Sequence, residues 1–344
     1  MQKRNEQKRQ HFVPACYLKA WLDPSAPKTE KNNPYVWLFD KDGTNSKAKA
    51  PEKIFRESEM YTLTTPDGAR DLRLERGLGT IESNFTRVRT SKFGYQRELT
   101  SDDWLWVCLF AAMAHTRTAA RRDHLVGNLE RLKDMVIKVA GPDWEKQTQL
   151  DPSHVTQQQK RQDVYYPQPR DFEKLKETSI SALLHNATDV ILPAFLKMHR
   201  TVLTHKDDLG FITSDAPSVW HDPTAYRRHP YERAIGVMHA DIEVTLPISP
   251  QQCLLFTHKN VGPLYTEISS EGVDALNQRH TFYAPSKIVA SRNHTRARWF
   301  ERGTARSDSW EALHPDPEDR MHWTSPDAPL GLLKLLQDKG LSSE

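Results

Sequence analysis

Ser101-Asp102-Asp103-Trp104-Leu105-Trp106-Val107-Cys108-Leu109-Phe110-Ala111-Ala112-Met113-Ala114-His115-Thr116, and the run that follows it to residue 139, decide the fold. Leu105, Cys108, Leu109, Ala112, Met113, Thr116, Ala119 and Ala120 recur at spacings of three and four, and Leu125, Leu129, Leu132, Val136 and Val139 prolong the stripe. That periodicity predicts a long helix with one apolar face. Ser101, Asp102 and Asp103 offer side-chain oxygens to the first-turn amides, and Gly141-Pro142 ends the run. A second long helix is expected over 172–204, with Ile180, Leu183, Leu184, Ala187, Val190, Ile191, Phe195, Met198 and Val202 on one face and a kink at Pro193.

Outward from these helices the pattern changes period. Tyr35-Val36-Trp37-Leu38-Phe39 reads as a strand entering the turn Asp40-Lys41-Asp42-Gly43, with a second extended piece returning over 54–63. Leu74, Leu78, Ile81 and Phe85 predict a helix over 71–89. The last third predicts short strands at 210–213, 242–248 and 253–257, a helix at 270–280 and a strand at 282–284. The expected architecture is α+β, two long helices packed on a small mixed or antiparallel sheet, with the N-terminal arm crossing back onto the later strands.

One domain is expected over 1–306, interrupted by a polar insertion near 146–171 that carries Pro152, Pro167 and Pro169. A Pro-rich tail over 307–344 follows. Its Leu330, Leu332, Leu333, Leu335 and Leu336 predict a short helix that docks on its own domain or joins two copies of the chain.

The 48 Lys and Arg against 45 Asp and Glu leave a net charge of only +3, too small for nonspecific DNA binding to be the whole task. Lys3, Arg4, Lys8 and Arg9 form a basic start that reaches for phosphate or is simply solvated. Cys16, Cys108 and Cys253 form no CxxC pair, which argues against a disulfide framework or thiolate zinc site and fits a reducing, cytoplasmic location. No apolar run of membrane-spanning length is expected, and so no membrane partner. Phosphate-loop, dinucleotide-fold, zinc-protease and nucleophile-elbow motifs are all missing.

What remains is a set of polar residues at element boundaries. His11, in Gln10-His11-Phe12-Val13-Pro14, is a general base, metal ligand or phosphate donor, or a structural imidazole fixing the turn. Arg117 lies off the centre of its apolar stripe and should face a boundary, binding phosphate bidentately or pairing with Glu75 or Glu82. Ser214-Asp215 closes a strand-like run, where Asp215 holds a divalent metal or orients His11, or where both residues merely close a local turn. Leu246-Pro247-Ile248-Ser249-Pro250 reads as an edge and tight turn, and His115, His124, His185, His199 and His205 have no metal-ligand spacing.

The segment His11-Phe12-Val13-Pro14-Ala15-Cys16-Tyr17-Leu18 resembles the His-x-Val-Pro-x-x-Tyr-Leu opening of a widespread, mainly bacterial domain-of-unknown-function family. Met60-Tyr61, Arg117-Thr118, Thr213-Ser214-Asp215-Ala216-Pro217 and Leu246-Pro247-Ile248-Ser249-Pro250 are similar to later features of that family, so that the likeness covers about residues 10–290. Ala119 departs from it, since proline is commoner there, and the tail after about residue 300 lies beyond it. The resemblance brings no assigned activity.

From these residues the leading expectation is a phosphodiester hydrolase acting on RNA or DNA in bacterial defence or toxin action. His11 would be acid or base, Arg117 the phosphate ligand and Asp215 the orienting group or holder of Mg²⁺ or Mn²⁺, with Gln10, Tyr17 and Ser214 contacting substrate. The alternative is a non-catalytic binding or sensor module for an anionic ligand.

Overall fold

The computed structural model describes residues 9–27, 34–58, 60–61, 63–64, 70–140, 169–229, 232–233, 235–302 and 309. The described residues open with strand β1 (Arg9–His11), a single helical turn α1 (Ala15–Leu18), and strands β2 (Val36–Asp40), β3 (Lys47–Lys49) and β4 (Arg56–Ser58). A small ladder, β5 (Leu63–Thr64) with β6 (Arg70–Asp71), leads into helix α2 (Arg73–Ser91). Helices α3 (Ser101–Thr116) and α4 (Ala119–Ala140) follow, then α5 (Pro169–Glu177), α6 (Ser179–Asn186) and α7 (Leu192–Lys197). Strands β7 (His199–Thr204), β8 (Thr213–Ser214), β9 (Val219–His221), β10 (Glu243–Ser249), β11 (Gln252–Thr257) and β12 (Tyr265–Glu267) precede helix α8 (Ser270–Tyr283) and strand β13 (Lys287–Ala290).

Among the described residues, two main sheets and the two-stranded ladders β1-β4 and β5-β6 organise these strands. The larger has the order β12-β7-β11-β10-β9 and is antiparallel except for the parallel β12-β7 pair. The smaller, β3-β2-β13-β8, is antiparallel throughout. Because successive strand residues point to opposite faces, β7 and β11 send Val202, Leu254 and Phe256 into the main core and Leu203, Cys253 and Leu255 into a second one. The first core is covered by α2, α3 and the α6–α7 segment, and the second by α8 through Val273 and Leu276. Burial on both faces explains why β11 carries the continuous apolar run Cys253-Leu254-Leu255-Phe256, whereas β10 alternates and buries Glu243 and Thr245 on its other face.

The fold is α+β as expected, but neither expected long helix is continuous. The first breaks at Arg117-Thr118, where the Thr118 hydroxyl accepts the Arg121 amide at 3.2 Å and starts α4 as an N-terminal cap does. The opening cap of α3 is Thr100 rather than Ser101, in a reciprocal box with Asp103. The second breaks into three pieces, α5 and α6 parting at Thr178 and α6 and α7 joined by a π-helical turn, Ala187–Ile191. That turn sits just before Pro193, absorbing the amide the ring lacks. Its last portion is the strand β7, and the expected strand at 282–284 belongs to the end of α8, the true strand lying at Lys287–Ala290.

Ser179–Lys197 is long and apolar enough by composition to cross a membrane, contrary to expectation. Its Ile180, Leu184, Ile191 and Phe195 are buried in the main core. Most of the expected insertion at 146–171 lies outside the described residues, and so does the leucine-rich stretch of the tail with any oligomer it forms.

Candidate functional site: a cationic cleft at the start of α4

The N-terminal signature is built around hydrogen bonds that leave the main core intact. Gln10 is buried, its Oε1 accepting the Tyr61 amide at 2.5 Å while its Nε2 donates to Glu75 at 3.1 Å. Tyr17 is wholly buried; its hydroxyl donates to the Pro247 carbonyl at 2.6 Å and shares a hydrogen bond with Thr213 at 2.8 Å. This contact ties the N-terminal arm to β8 and β10. Pro247 sits beyond the stretch of β10 paired with β9, a position where proline is tolerated. Beyond Thr245 the strand is paired with β11 alone, so the segment 246–250 is locally an edge that ends in a turn, as expected.

Arg117 is 2% exposed and lies in the core, not at the boundary the apolar stripe implies. Its Nη2 donates to the His11 carbonyl at 2.8 Å and pairs with Glu82 at 2.8 Å, and its Nε donates to the Phe12 carbonyl at 3.2 Å. Burial would lower its pKa, but Tyr61 and Glu82 outweigh that and hold it above the ordinary arginine value. Arg89, which the sequence reading passed over, does similar work by donating to the carbonyls of Tyr17 and Cys16 at 3.0 and 2.8 Å. The His11 imidazole is pushed below its ordinary pKa by burial, against the Glu52 main chain and Glu82, and its Nε2 is buried without a partner.

Asp215 belongs to a different cluster. Its Oδ2 accepts from the Ser286 amide (3.0 Å), the Ser286 hydroxyl (2.7 Å) and the Lys287 amide (3.1 Å), linking β8 to the start of β13. Burial raises its pKa in spite of these three donors. The Ser214 hydroxyl closes a local turn, accepting the Ala216 amide at 3.1 Å and donating to the Ala216 carbonyl at 3.0 Å. No hydrogen bond or ion pair among the described residues joins Asp215 to His11 or Arg117. The structure thus brings His11 and Arg117 together through main-chain contacts, and brings Gln10 and Tyr17 to the same buried region, but anchors Ser214 and Asp215 separately.

An open cleft of about 460 Å³ lies next to that second cluster, bounded by the α3–α4 junction, β9 and the end of α8. The junction contributes His115, Thr118 and Arg121; β9 and its approach contribute Trp220 and Ser218; Arg233 and Tyr283 close the sides. None of the described residues lining it is Asp or Glu.

His115 is 8% exposed and stacks on Trp220 with ring centroids 3.8 Å apart and planes inclined by 12°. Arg121 Nη2 donates to His115 Nε2, which leaves the ring proton on Nδ1, 3.4 Å from the Ser218 carbonyl. Burial, and then the neighbouring Arg121 charge, hold the imidazole well below its ordinary pKa, so it is neutral. Arg121 has no carboxylate partner among the described residues, and its pKa is lowered by burial alone. The N-terminus of the 22-residue α4, with Ala120 on the cleft wall, adds its partial positive charge.

Behind the cleft, the Tyr283 hydroxyl meets His221 Nδ1 at 3.1 Å and is pushed up to about 12, chiefly by burial. Deeper still, the fully buried Arg279 and Glu243 pair at 2.6 Å. Among the described residues no group of three or more His, Cys, Asp or Glu is placed to hold a metal ion.

The match to known families decides the identity at this point: residues 9–294 fit the family described as "Protein of unknown function (DUF4238)". The chain belongs to the DUF4238 family. No curated protein and no solved structure matches it. The DUF4238 match takes in the whole N-terminal signature, the cleft and Asp215, and stops at residue 294, before the tail.

Proposed function

We propose that this DUF4238 chain binds an anionic ligand in the cleft at the start of α4, with Arg121 as the charge that holds it. The observation that carries this reading is a partly buried guanidinium that meets a neutral imidazole and no carboxylate among the described residues. An arginine withdrawn from water is ordinarily paired, because an isolated buried charge is costly. An incoming oxyanion would supply the missing partner through bidentate, charge-assisted hydrogen bonds.

A second reading, in which the anion is a phosphodiester of RNA or DNA and is hydrolysed in bacterial defence or toxin action, is favoured by the neutral imidazole of His115 beside that guanidinium. The Nε2 lone pair of His115, which accepts from Arg121 in the unliganded site, would be free to take a proton once Arg121 turns to the phosphate. Mg²⁺ or Mn²⁺ would then arrive bound to the substrate phosphates rather than in a cage of protein ligands. Three cysteines without disulfides support a cytoplasmic setting.

The test is calorimetric titration of wild type and Arg121→Gln with inorganic phosphate. It is paired with incubation of both proteins with RNA, single-stranded DNA and duplex DNA, with and without Mg²⁺ or Mn²⁺. Binding weakened about tenfold or more by the substitution supports the anion site. Equal binding by the two proteins rejects it, and substrate loss confined to wild type establishes the hydrolase reading.

A further inference from the structure

Two buried donors of cleft-lining residues have no acceptor among the described residues. Ser218 is only 5% exposed, and its hydroxyl has no hydrogen-bond partner; the indole Nε1 of Trp220, two residues on, has none either. Both residues line the cleft that Arg121 enters. A buried polar group left without a partner costs about 1–3 kcal/mol, and native proteins keep few of them. Here two residues that carry such donors, lying beneath the cleft surface, and a cation with no carboxylate partner among the described residues line one 460 Å³ space.

We propose that the occupant is a small molecule ending in a phosphate monoester, its terminal phosphate seated among Arg121, the Ser218 hydroxyl and the Trp220 indole N–H. This rests on the anion reading of the cleft and narrows it. A terminal phosphate carries three unsubstituted oxygens and a charge near −2 at neutral pH, enough acceptors for three separate donors. A carboxylate has two oxygens for the same task. An internal phosphodiester carries a single charge and must leave the cleft in two directions.

The shape of the site argues against a polymer as well. Its volume falls in the range of small-ligand pockets, about 300–1,000 Å³, and a single-strand channel would instead offer aromatic faces for successive bases to stack on. The aromatic face that Trp220 could present is already covered by His115 at 3.8 Å. The N-terminus of α4 reinforces the preference for a doubly charged terminal group.

The experiment titrates the full chain with phenyl phosphate, adenosine 5′-monophosphate, dimethyl phosphate, benzoate and a single-stranded oligonucleotide lacking terminal phosphates. Wild type, Ser218→Ala and Trp220→Phe are compared, and the thermal midpoint of each is measured without ligand. The expected result is that both monoesters bind about tenfold or more tightly than the diester, the carboxylate or the oligonucleotide. Each substitution should lose about tenfold in monoester affinity and leave the unliganded midpoint unchanged or higher, since it removes an unsatisfied donor. Dimethyl phosphate or the oligonucleotide binding as tightly as the monoesters would overturn the monoester assignment while leaving the anion site standing. Unchanged monoester affinity in both variants would overturn the seating, and a wild type that binds none of the anions would overturn both readings.

Discussion

Arg117 and Arg121 stand one helical turn apart in sequence, on either side of the break between α3 and α4, and their environments are opposite. Arg117 is enclosed by two carbonyls, Glu82 and the Tyr61 ring 5.6 Å away, with the Tyr61 hydroxyl donating to its own carbonyl at 3.0 Å. Arg121 meets only a neutral imidazole. Their pKa values move apart accordingly, Arg117 above the ordinary value and Arg121 below it. A buried guanidinium whose partners belong to the fold is architecture; a partly buried one that meets no carboxylate among the described residues is where we propose that a ligand is accommodated.

The largest effect that could break this contrast lies at Arg117. Replacing it by Met leaves Glu82 and the carbonyls of His11 and Phe12 without their donor, and should cost about 3–5 kcal/mol in a urea titration. A loss under about 1 kcal/mol would place Arg117 on the surface side of the comparison, where ion pairs contribute little.

Next in size is the acid limb of stability. His115 is held well below its ordinary pKa and His280 is pushed down to about 3, both chiefly by burial. The folded chain therefore binds fewer protons than the unfolded one below about pH 6.5, and stability falls with pH in that window. Each such histidine contributes a slope of about 1.4 kcal/mol per pH unit. Urea midpoints that stay flat from pH 7 to about 4.5, above the titration of most carboxylates, would show that these imidazoles become charged inside the fold.

Tyr17→Phe tests the signature side of the comparison at smaller scale. It removes the donor to the Pro247 carbonyl and the partner of Thr213, and should cost about 1–3 kcal/mol without altering anion binding. Lost binding at unchanged stability would return Tyr17 to the role of a substrate contact.

How far this was legible in the sequence follows from what each residue depends on. The strand at 35–39 and the helix at 71–89 appear within two residues of their observed bounds, as β2 and α2, because aromatic clustering and apolar spacing act locally. The strand β7 was hidden because Met198 and Val202 continue the four-residue spacing of the preceding helix, although Thr201, Val202 and Thr204 are β-branched. The break at Arg117-Thr118 was masked by Ala119 and Ala120, which prolong the stripe across a residue that caps the next helix.

The candidate site was less readable. Gln10, Arg117 and Asp215 stand out as polar residues in apolar company, and that company turned out to be the core or a strand junction that they stabilise. Glu82 was foreseen as a partner of Arg117, and the turn formed by Ser214 was among the alternatives. Arg121, Ser218, Trp220, Arg233 and Tyr283 come from four separated segments, and no spacing within one sequence reports that they line one cleft. The one local hint was Thr118, a capping residue whose helix starts at the site.

Arg121→Met carries the smallest expected effect on the unliganded protein, within about 1 kcal/mol of wild type or more stable, since it removes a partly desolvated charge that no carboxylate among the described residues offsets. Its effect should appear only with ligand, and that makes it the most direct test. Urea midpoints of wild type and Arg121→Met are measured with and without saturating adenosine 5′-monophosphate. A ligand that binds only the folded state raises the midpoint according to its affinity. A shift in wild type that vanishes in Arg121→Met is the result expected of an anion site built on Arg121, and equal shifts in the two proteins, or none in wild type, would contradict it.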